Sequence, residues 1–496
     1  MPLTTKAKKA GTAVVAAILS ALLFFLSSGL NSVWPLLWFA PLPVLLFALR
    51  GSLWSTGAVA FFAVFISGLN FWHYLRVLGA PPVAWAIVFG TGALIFAAIV
   101  LVFRALARRH AFWSALLAVP AMWVSFEYIR NLTTPHGTAG SFAYSQLSFL
   151  PFLQVASLTG PWGMSFLLLL FPAAIAIAIH LRRTDPKRAL RIAGISFGII
   201  AAALVFGGVR LAIPQSGPVV RVGLVASDAP GNVYIAAKGP GTERLLRGYA
   251  AEAEKLSARG AQFVVLPEKL GTIVDPDANL ADRIFQPLAD RSKSTIVVGL
   301  VHASPPVEYN QARVYAPGAP VRSYDKRHML PPVELKFTPG TTLVTLPGAA
   351  GITGVAICKD MDFAQPSRQY GQAGAGLMLV PAWDFNLDRA WHGHIAIMRG
   401  VEDGFSVVRA AKQGLLTVSD NRGRILAEQR SDAAPFATLL AGVSTGHSPT
   451  LYVLGGNWFA WLALALAAFT VVQLFRLRKA AVVHPSKADR AVPARA

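Results

Sequence analysis

The chain is 496 residues long, yet it contains a single cysteine and only 24 acidic residues, and 14% of its residues are charged. One thiol excludes a disulfide framework and any cysteine-rich metal site. So little charge excludes an ordinary water-soluble enzyme, where about a quarter of residues are charged. A hydrophobic share of 54% excludes a disordered chain, and the mean hydropathy is +0.51. No internal repeat is visible, and the length allows two or more domains.

What charge there is has the wrong distribution for a nucleic-acid face. The net charge is +21. Of the 45 basic and 24 acidic residues, 24 and 21 fall between residues 218 and 447. Elsewhere 21 basic residues stand against three acidic ones, Glu127, Asp185 and Asp489. The surplus sits in the most hydrophobic part of the chain. That pattern belongs to a membrane protein rather than to a partner of nucleic acid.

A bilayer span needs about 20 mostly apolar residues. Seven candidates precede residue 215, over 11–28, 34–49, 56–72, 82–103, 112–129, 162–180 and 193–209, and an eighth covers 458–475. The second carries Pro35, Pro41 and Pro43, and the fifth ends in Glu127, so these two are the weakest. With the N-terminus inside and eight crossings, the inside segments hold 18 Lys and Arg residues. The outside segments of the membrane part hold three, Arg76, Arg130 and Arg210. This asymmetry favours eight spans, a retained first span rather than a cleaved signal peptide, and a 218–447 segment outside. The outside loop over 131–161 is long enough to suggest a function. The tail over 479–496 is short, basic and of low complexity.

Between 218 and 447 the pattern becomes that of a water-soluble α/β domain, large enough to form its own core. Short apolar runs at 219–225, 262–266, 295–300, 354–358, 377–380 and 415–419 read as strands, and 243–258 as an amphipathic helix. Asp420-Asn421-Arg422-Gly423 reads as a hairpin turn between 415–419 and 424–427.

Three residues of this segment carry potential chemistry. Cys358 closes the run Gly354-Val355-Ala356-Ile357 and precedes Lys359-Asp360. A nucleophile at a strand end is held rigidly, and a cation beside it favours the thiolate; a lone cysteine is also, as a rule, a small buried hydrophobe. Glu268 follows Phe263-Val264-Val265-Leu266-Pro267, where burial would suit a carboxylate to general-base work; it reads equally as an acid at a helix N-terminus. Lys326 lies in Tyr324-Asp325-Lys326-Arg327-His328, and reads either as a solvated loop cation or as an oxyanion stabiliser.

None of the three decides alone, but their order and surroundings do. The Glu, Lys and Cys, framed by apolar spans, resemble the triad of the nitrilase superfamily. The whole chain resembles its integral membrane branch, the apolipoprotein N-acyltransferases. The membrane part contributes Trp38-Phe39-Ala40-Pro41-Leu42-Pro43, Gly68-Leu69-Asn70-Phe71-Trp72, Tyr144-Ser145-Gln146 and Gly160-Pro161-Trp162-Gly163-Met164-Ser165-Phe166 to that likeness. The soluble part adds Ala382-Trp383, His392 and Met398-Arg399-Gly400-Val401-Glu402. Lys359-Asp360 stands where the family usually has an aromatic residue and a Glu.

The resemblance implies a polytopic α-helical membrane domain over 1–217, a nitrilase-like α-β-β-α sandwich over 218–447, a last span over 448–478 and the cytoplasmic tail over 479–496. It implies Cys358 as nucleophile, Glu268 as general base and Lys326 as oxyanion cation, supported by Glu334, Lys359 and Asp360. Trp383, Tyr144, Gln146 and His392 are the substrate-binding candidates. No metal or cofactor is expected. The partners implied are a phospholipid acyl donor and a diacylglyceryl lipoprotein acceptor, met by a monomer in the bacterial inner membrane, with both termini cytoplasmic and the catalytic domain periplasmic. Two rival readings keep the same residues: a membrane-anchored amidase that uses water, and acyl transfer to a different acceptor. A non-enzymatic lipid-binding scaffold is the third.

Overall fold

The structure, a computed structural model, describes residues 5–233, 240–276 and 278–483. The tail charges at 487, 490 and 495 lie outside that set. Among the described residues seven helices are long and apolar enough to cross a membrane. Six precede the soluble domain: α1 (Thr5–Ser27), α2 (Leu53–Ser67, prolonged by shorter turns to Val77), α3 (Pro82–Ala107), α4 (Phe112–Thr133), α5 (Pro161–Leu181) and α6 (Pro186–Ala212). The seventh is the C-terminal helix Trp458–Val483. Their outer faces expose Ile18, Leu22, Ile87, Leu94, Leu190, Val205 and Phe469, as an apolar solvent allows.

The second expected span is not a spanning helix. It is two short helices, Trp34–Leu37 and Leu42–Ala48. Each has a proline in its first turn, where the missing N–H costs nothing but where no helix can arrive from the N-terminal side. The broken segment nevertheless carries the chain from one end of the bundle to the other. Asn70, beyond α2, donates to the main-chain oxygens of Phe25 and Ser28 at the end of α1. Gly51, just before α2, accepts 3.1 and 2.9 Å bonds from Arg104 near the end of α3. The fifth expected span is the full helix α4, with Pro120 inside it.

The long 131–161 loop folds into three short turns, Phe142–Gln146, Leu150–Leu153 and Ala156–Thr159, packed beneath the soluble domain. Thr138 bonds the main-chain oxygen of Asp362 through its amide (2.9 Å) and its hydroxyl (2.7 Å). Gln154 donates 2.9 Å to the carbonyl of Arg422. At Gly207 of α6 a Cβ would lie 1.7 Å from the Pro151 carbonyl oxygen, so only glycine lets the helix pass this close.

The soluble domain is the expected α-β-β-α sandwich. One sheet has the order β13-β1-β2-β4-β5-β6, with β3 on β4, and the other β12-β11-β10-β9-β8-β7. The strands are β1 (Val219–Ala226), β2 (Phe263–Val265), β3 (Thr272–Val274), β4 (Thr295–Ser304), β5 (Val307–Tyr315), β6 (Arg322–Asp325), β7 (Val344–Gly348), β8 (Gly351–Val355), β9 (Ala375–Trp383), β10 (Ser406–Lys412), β11 (Leu415–Ser419), β12 (Ile425–Arg430) and β13 (Ala437–Ser444). Val222, Leu224, Val265 and Val297 of the first sheet face Leu377, Leu379, Val408 and Ala410 of the second. Helices α7 (Pro240–Ala258) and α8 (Leu280–Ser292) cover one outer face; α9 (Ala364–Gln372) and α10 (Arg389–Asp403) cover the other. Strands β3, β5, β6, β7, β10 and β13 are additions to the sequence reading. Much of β5 is polar, Glu308, Asn310, Gln311 and Arg313, which hid it from a search for apolar runs.

Candidate active site

Glu268, Lys326 and Cys358 arrive at one pocket from the segments that follow β2, β6 and β8. Glu268 follows β2, and its amide donates 3.2 Å to Ala382 O in β9. Lys326 follows β6, with its amide 2.8 Å from Asn310 O in β5. Cys358 does not end a strand as expected. β8 stops at Val355, and Cys358 opens the tight turn Cys358–Asp362 with φ of +43°. A non-glycine residue costs about 1–3 kcal/mol there. The bonds that hold it come from Asp360, which is fully buried. Asp360 accepts from the Tyr324 hydroxyl (2.8 Å) and from the amides of Ile357 (3.2 Å), Arg327 (3.1 Å) and His328 (2.9 Å). Asp360 is therefore a clamp behind the turn and faces away from the pocket.

The charges of the pocket are paired within it. Lys326 Nζ lies 2.8 Å from Glu268 Oε1 and 2.7 Å from Glu334 Oε2. Lys269 bonds Glu334 Oε1 at 2.5 Å and lies 3.8 Å from Glu268. Asn310 Nδ2 donates to both carboxylates. Two cations thus hold two buried anions. Although burial opposes it, the lysines draw the Glu334 carboxyl well below its usual range, and the two glutamates hold the Lys326 ammonium well above its own. Lys269 and Asn310 went unnoticed in the sequence. Lysine beside Glu268 reads as a surface residue, and Asn310 lies on the polar strand β5.

Cys358 contradicts the expectation of a cation-stabilised thiolate. Burial pushes its thiol up, Glu268 pushes the same way, and Lys326 and Arg409 oppose them only in part. Lys359 instead turns its ammonium to Asp362 Oδ2, 3.3 Å away. The Cys358 Sγ rests 3.6 Å from Trp383 O. The Trp383 ring lies under two cations, Lys412 at 3.8 Å and Lys269 at 5.0 Å, and its Nε1 donates 2.8 Å to Gln413. Lys412, desolvated and close to Lys269, is lowered to about 7. Next to it Arg409 and Asp384 form a buried two-point pair at 2.8 and 2.6 Å.

The pocket itself is small, about 60 Å³, lined by Glu268, Lys326, Glu334, Cys358, Trp383 and Phe385 among others. Leu330, Lys359 and His392 are shared with a second cavity of about 460 Å³ in the membrane part. Val64, Leu75, Ile87, Phe89, Trp123 and Phe142 make that chamber largely apolar, and its size suits an organic ligand. His392 bridges Asp362 and Asp388 at 3.3 Å each, which raises it to about 10 despite burial. Of the expected substrate residues, Trp383 and His392 reach these cavities. Tyr144 and Gln146 line neither. Tyr144 bonds Thr138 and Arg399 (3.0 Å) under α10, and Gln146 accepts 3.0 Å from Trp38 Nε1 and donates 3.0 Å to Trp34 O. Both join the loop to its neighbours.

Comparison with known proteins follows this division of the chain. The family model for the apolipoprotein N-acyltransferase N-terminal domain matches residues 20–174, and that for carbon-nitrogen hydrolase matches 231–454. Proteins named apolipoprotein N-acyltransferase align nearly end to end. That of Geobacter metallireducens is 27% identical, over 93% of this chain and 95% of its own. That of Rhodopseudomonas palustris is 26% identical, over 94% and 95%. A solved amidase from Nesterenkonia sp. is 21% identical, covering 50% of this chain and 98% of its own at a TM-score of 0.40. The chain is thus similar to the apolipoprotein N-acyltransferases from end to end, and its soluble part is similar to the carbon-nitrogen hydrolases.

Proposed function

We propose that this multi-pass membrane acyltransferase moves an acyl chain from a phospholipid to the N-terminal amine of a diacylglyceryl-cysteine on a lipoprotein, through a thioester on Cys358. One observation carries the reading: the pocket around the chain's single thiol continues into an apolar chamber of about 460 Å³. A water-using amidase for small substrates has no use for such a chamber. A lipid donor does, since each methylene buried is worth about 0.8 kcal/mol.

Cys358 is half-buried at the pocket, where desolvation and Glu268 favour the thiol at rest. Glu268 accepts its proton as Sγ attacks the ester carbonyl of the donor. The negative charge that forms on the carbonyl oxygen is met by the Lys326 ammonium and a main-chain N–H of the 358–362 turn. The carbon–oxygen bond breaks, Glu268 returns the proton to the leaving alkoxide, and a lysophospholipid departs from the thioester. The amine of the acceptor then attacks the thioester carbonyl and loses a proton to Glu268. The carbon–sulfur bond breaks, and the thiolate takes that proton back. Glu334 and Lys269 keep Lys326 and Glu268 in register through both steps. In our reading the catalytic domain lies on the periplasmic face of the inner membrane with both termini cytoplasmic. The basic side chains at 50, 104, 108, 109, 182, 183, 187, 188 and 191 belong to the end of the bundle away from that domain.

Intact-protein mass spectrometry after incubation with phospholipid tests this, with wild type beside Cys358→Ala. The expected result is a hydroxylamine-labile gain of one acyl chain in the wild type only, discharged by a synthetic diacylated lipopeptide with loss of its free amine. A folded wild type that gains no acyl group from any phospholipid would instead favour the amidase.

A further inference from the structure

Fatty chains account for the chamber but not for the polar groups in its wall. Arg130, His136, Lys359, Asp362 and His392 all line it, four bases and one acid. The acid is already occupied. Asp362 takes Lys359 on Oδ2 and His392 on Oδ1, each at 3.3 Å, and its main-chain oxygen takes Thr138. His392 is satisfied on both nitrogens, by Asp362 and Asp388.

The donors of Arg130 and Lys359 are not used up. An ammonium has three N–H groups and a guanidinium five. Among the described residues Lys359, 3% exposed, gives one bond to Asp362, and its remaining contact is the Phe363 ring at 5.7 Å. Arg130 gives one bond, 2.8 Å to Ala139 O. The neighbouring Glu127 is engaged by Trp123, Ser141 and the Phe142 amide. Lys359 is buried and Arg130 half-buried, and their spare donors remain available to a ligand that supplies oxygen atoms. His136, exposed to solvent, lines the same chamber.

We infer that Arg130, His136 and Lys359 form a receptor for the phosphodiester of the acyl donor, which hangs the lipid in the chamber with its ester carbonyl over Cys358. The inference rests on the donor being a phospholipid, as proposed above. Lys359 fits this task because it lines both cavities and adjoins the nucleophile in sequence. The receptor makes the enzyme select lipids that carry a phosphate over neutral diacylglycerol.

Binding without turnover tests it. Cys358→Ala enzyme in detergent is titrated with radiolabelled phosphatidylglycerol and with diacylglycerol of the same chains. The phospholipid is expected to bind about tenfold tighter or more, the worth of a charge-assisted bond. Adding Lys359→Met should remove about that factor for phosphatidylglycerol and leave diacylglycerol binding as it was, which also reports an intact chamber. Adding Lys359→Arg should keep the preference. Equal affinity for the two lipids in the parent, equal losses in the Lys359→Met protein, or displacement of bound phospholipid by inorganic phosphate alone would each overturn the receptor. A wild type that never forms a thioester would defeat the proposed function, yet this titration would still read out.

Discussion

The two cavities that meet at Lys359 are built on opposite plans. The catalytic pocket is small, and each of its charges has an opposite charge within 4 Å: Lys326 and Lys269 against Glu268 and Glu334. The chamber is several times larger and mostly hydrocarbon, and it shares Leu330, Lys359 and His392 with the pocket. The difference teaches how work is divided. Low dielectric strengthens each interaction in the pocket but forbids an unpaired charge there, so the machinery is assembled as a neutral set. The chamber is not balanced in this way: Arg130, His136, Lys359 and His392 line it against the single acid Asp362.

The largest effects should follow from breaking the balance of the pocket. Lys326→Met removes the cation between two buried carboxylates and, with it, the proposed oxyanion donor. Acylation of Cys358 should fall by roughly 10²–10³-fold or more, and the fold should lose about 3–5 kcal/mol, since Lys269 alone remains for Glu268 and Glu334. A Lys326→Met enzyme that is acylated at the wild-type rate, measured by quenched-flow mass spectrometry, would show that the pocket does not act as a charge-balanced unit. Lys269→Met should cost less, on the order of tenfold, because Glu334 keeps Lys326, Asn310 and the Leu330 amide.

The chamber is sharpened by filling it. Gly92 lines it, and a Cβ there would meet nothing within 4 Å. Gly92→Leu should leave the pocket untouched and shorten the chain that fits. Each methylene shut out is worth about 0.8 kcal/mol, roughly fourfold in selectivity. Competition between donors of two chain lengths, read from the mass of the thioester, should shift toward the shorter chain. An unchanged ratio would mean that acyl chains lie elsewhere.

These two cavities also differed in how far the sequence disclosed them. Glu268 and Cys358 were legible because each follows an apolar run, whereas Lys326 follows the polar strand β6 and, like Glu334, was reached only through the resemblance to the nitrilase superfamily. The double-layer sandwich came with them. The chamber was not legible, since its wall is drawn from the turn after α1, from α2, α3, α4, the 131–161 loop and the soluble domain, and hydropathy reports spans without saying which faces leave a gap. Tyr144 and Gln146 show the reverse error. Polar residues in an outside loop suggested substrate contact, but both are buried and spend their hydrogen bonds holding the loop to Arg399 and to the broken segment at Trp34 and Trp38. A one-dimensional reading also assigned Lys359 to the thiolate. The positive φ at Cys358 turns the chain so that Lys359 meets Asp362 instead.

The smallest expected effect lies on the border between the cavities and separates their two plans. His392, raised to about 10 from 6.5 by Asp362 and Asp388, is a charged group of the pocket kind set in the wall of the chamber. Because its folded pKa exceeds its unfolded one, its contribution to stability is complete below about pH 6.5 and is lost as pH rises through about 10. His392→Phe removes that contribution while leaving Asp362 to Lys359 and Asp388 to the Phe385 amide. Thermal unfolding in detergent should therefore show the widest gap between wild type and variant near pH 6, roughly a few degrees. The gap should narrow steadily toward pH 10. A gap of constant width would mean that the imidazole acts by filling space, as the chamber's apolar side chains do, and that the pocket's rule of paired charge stops short of His392.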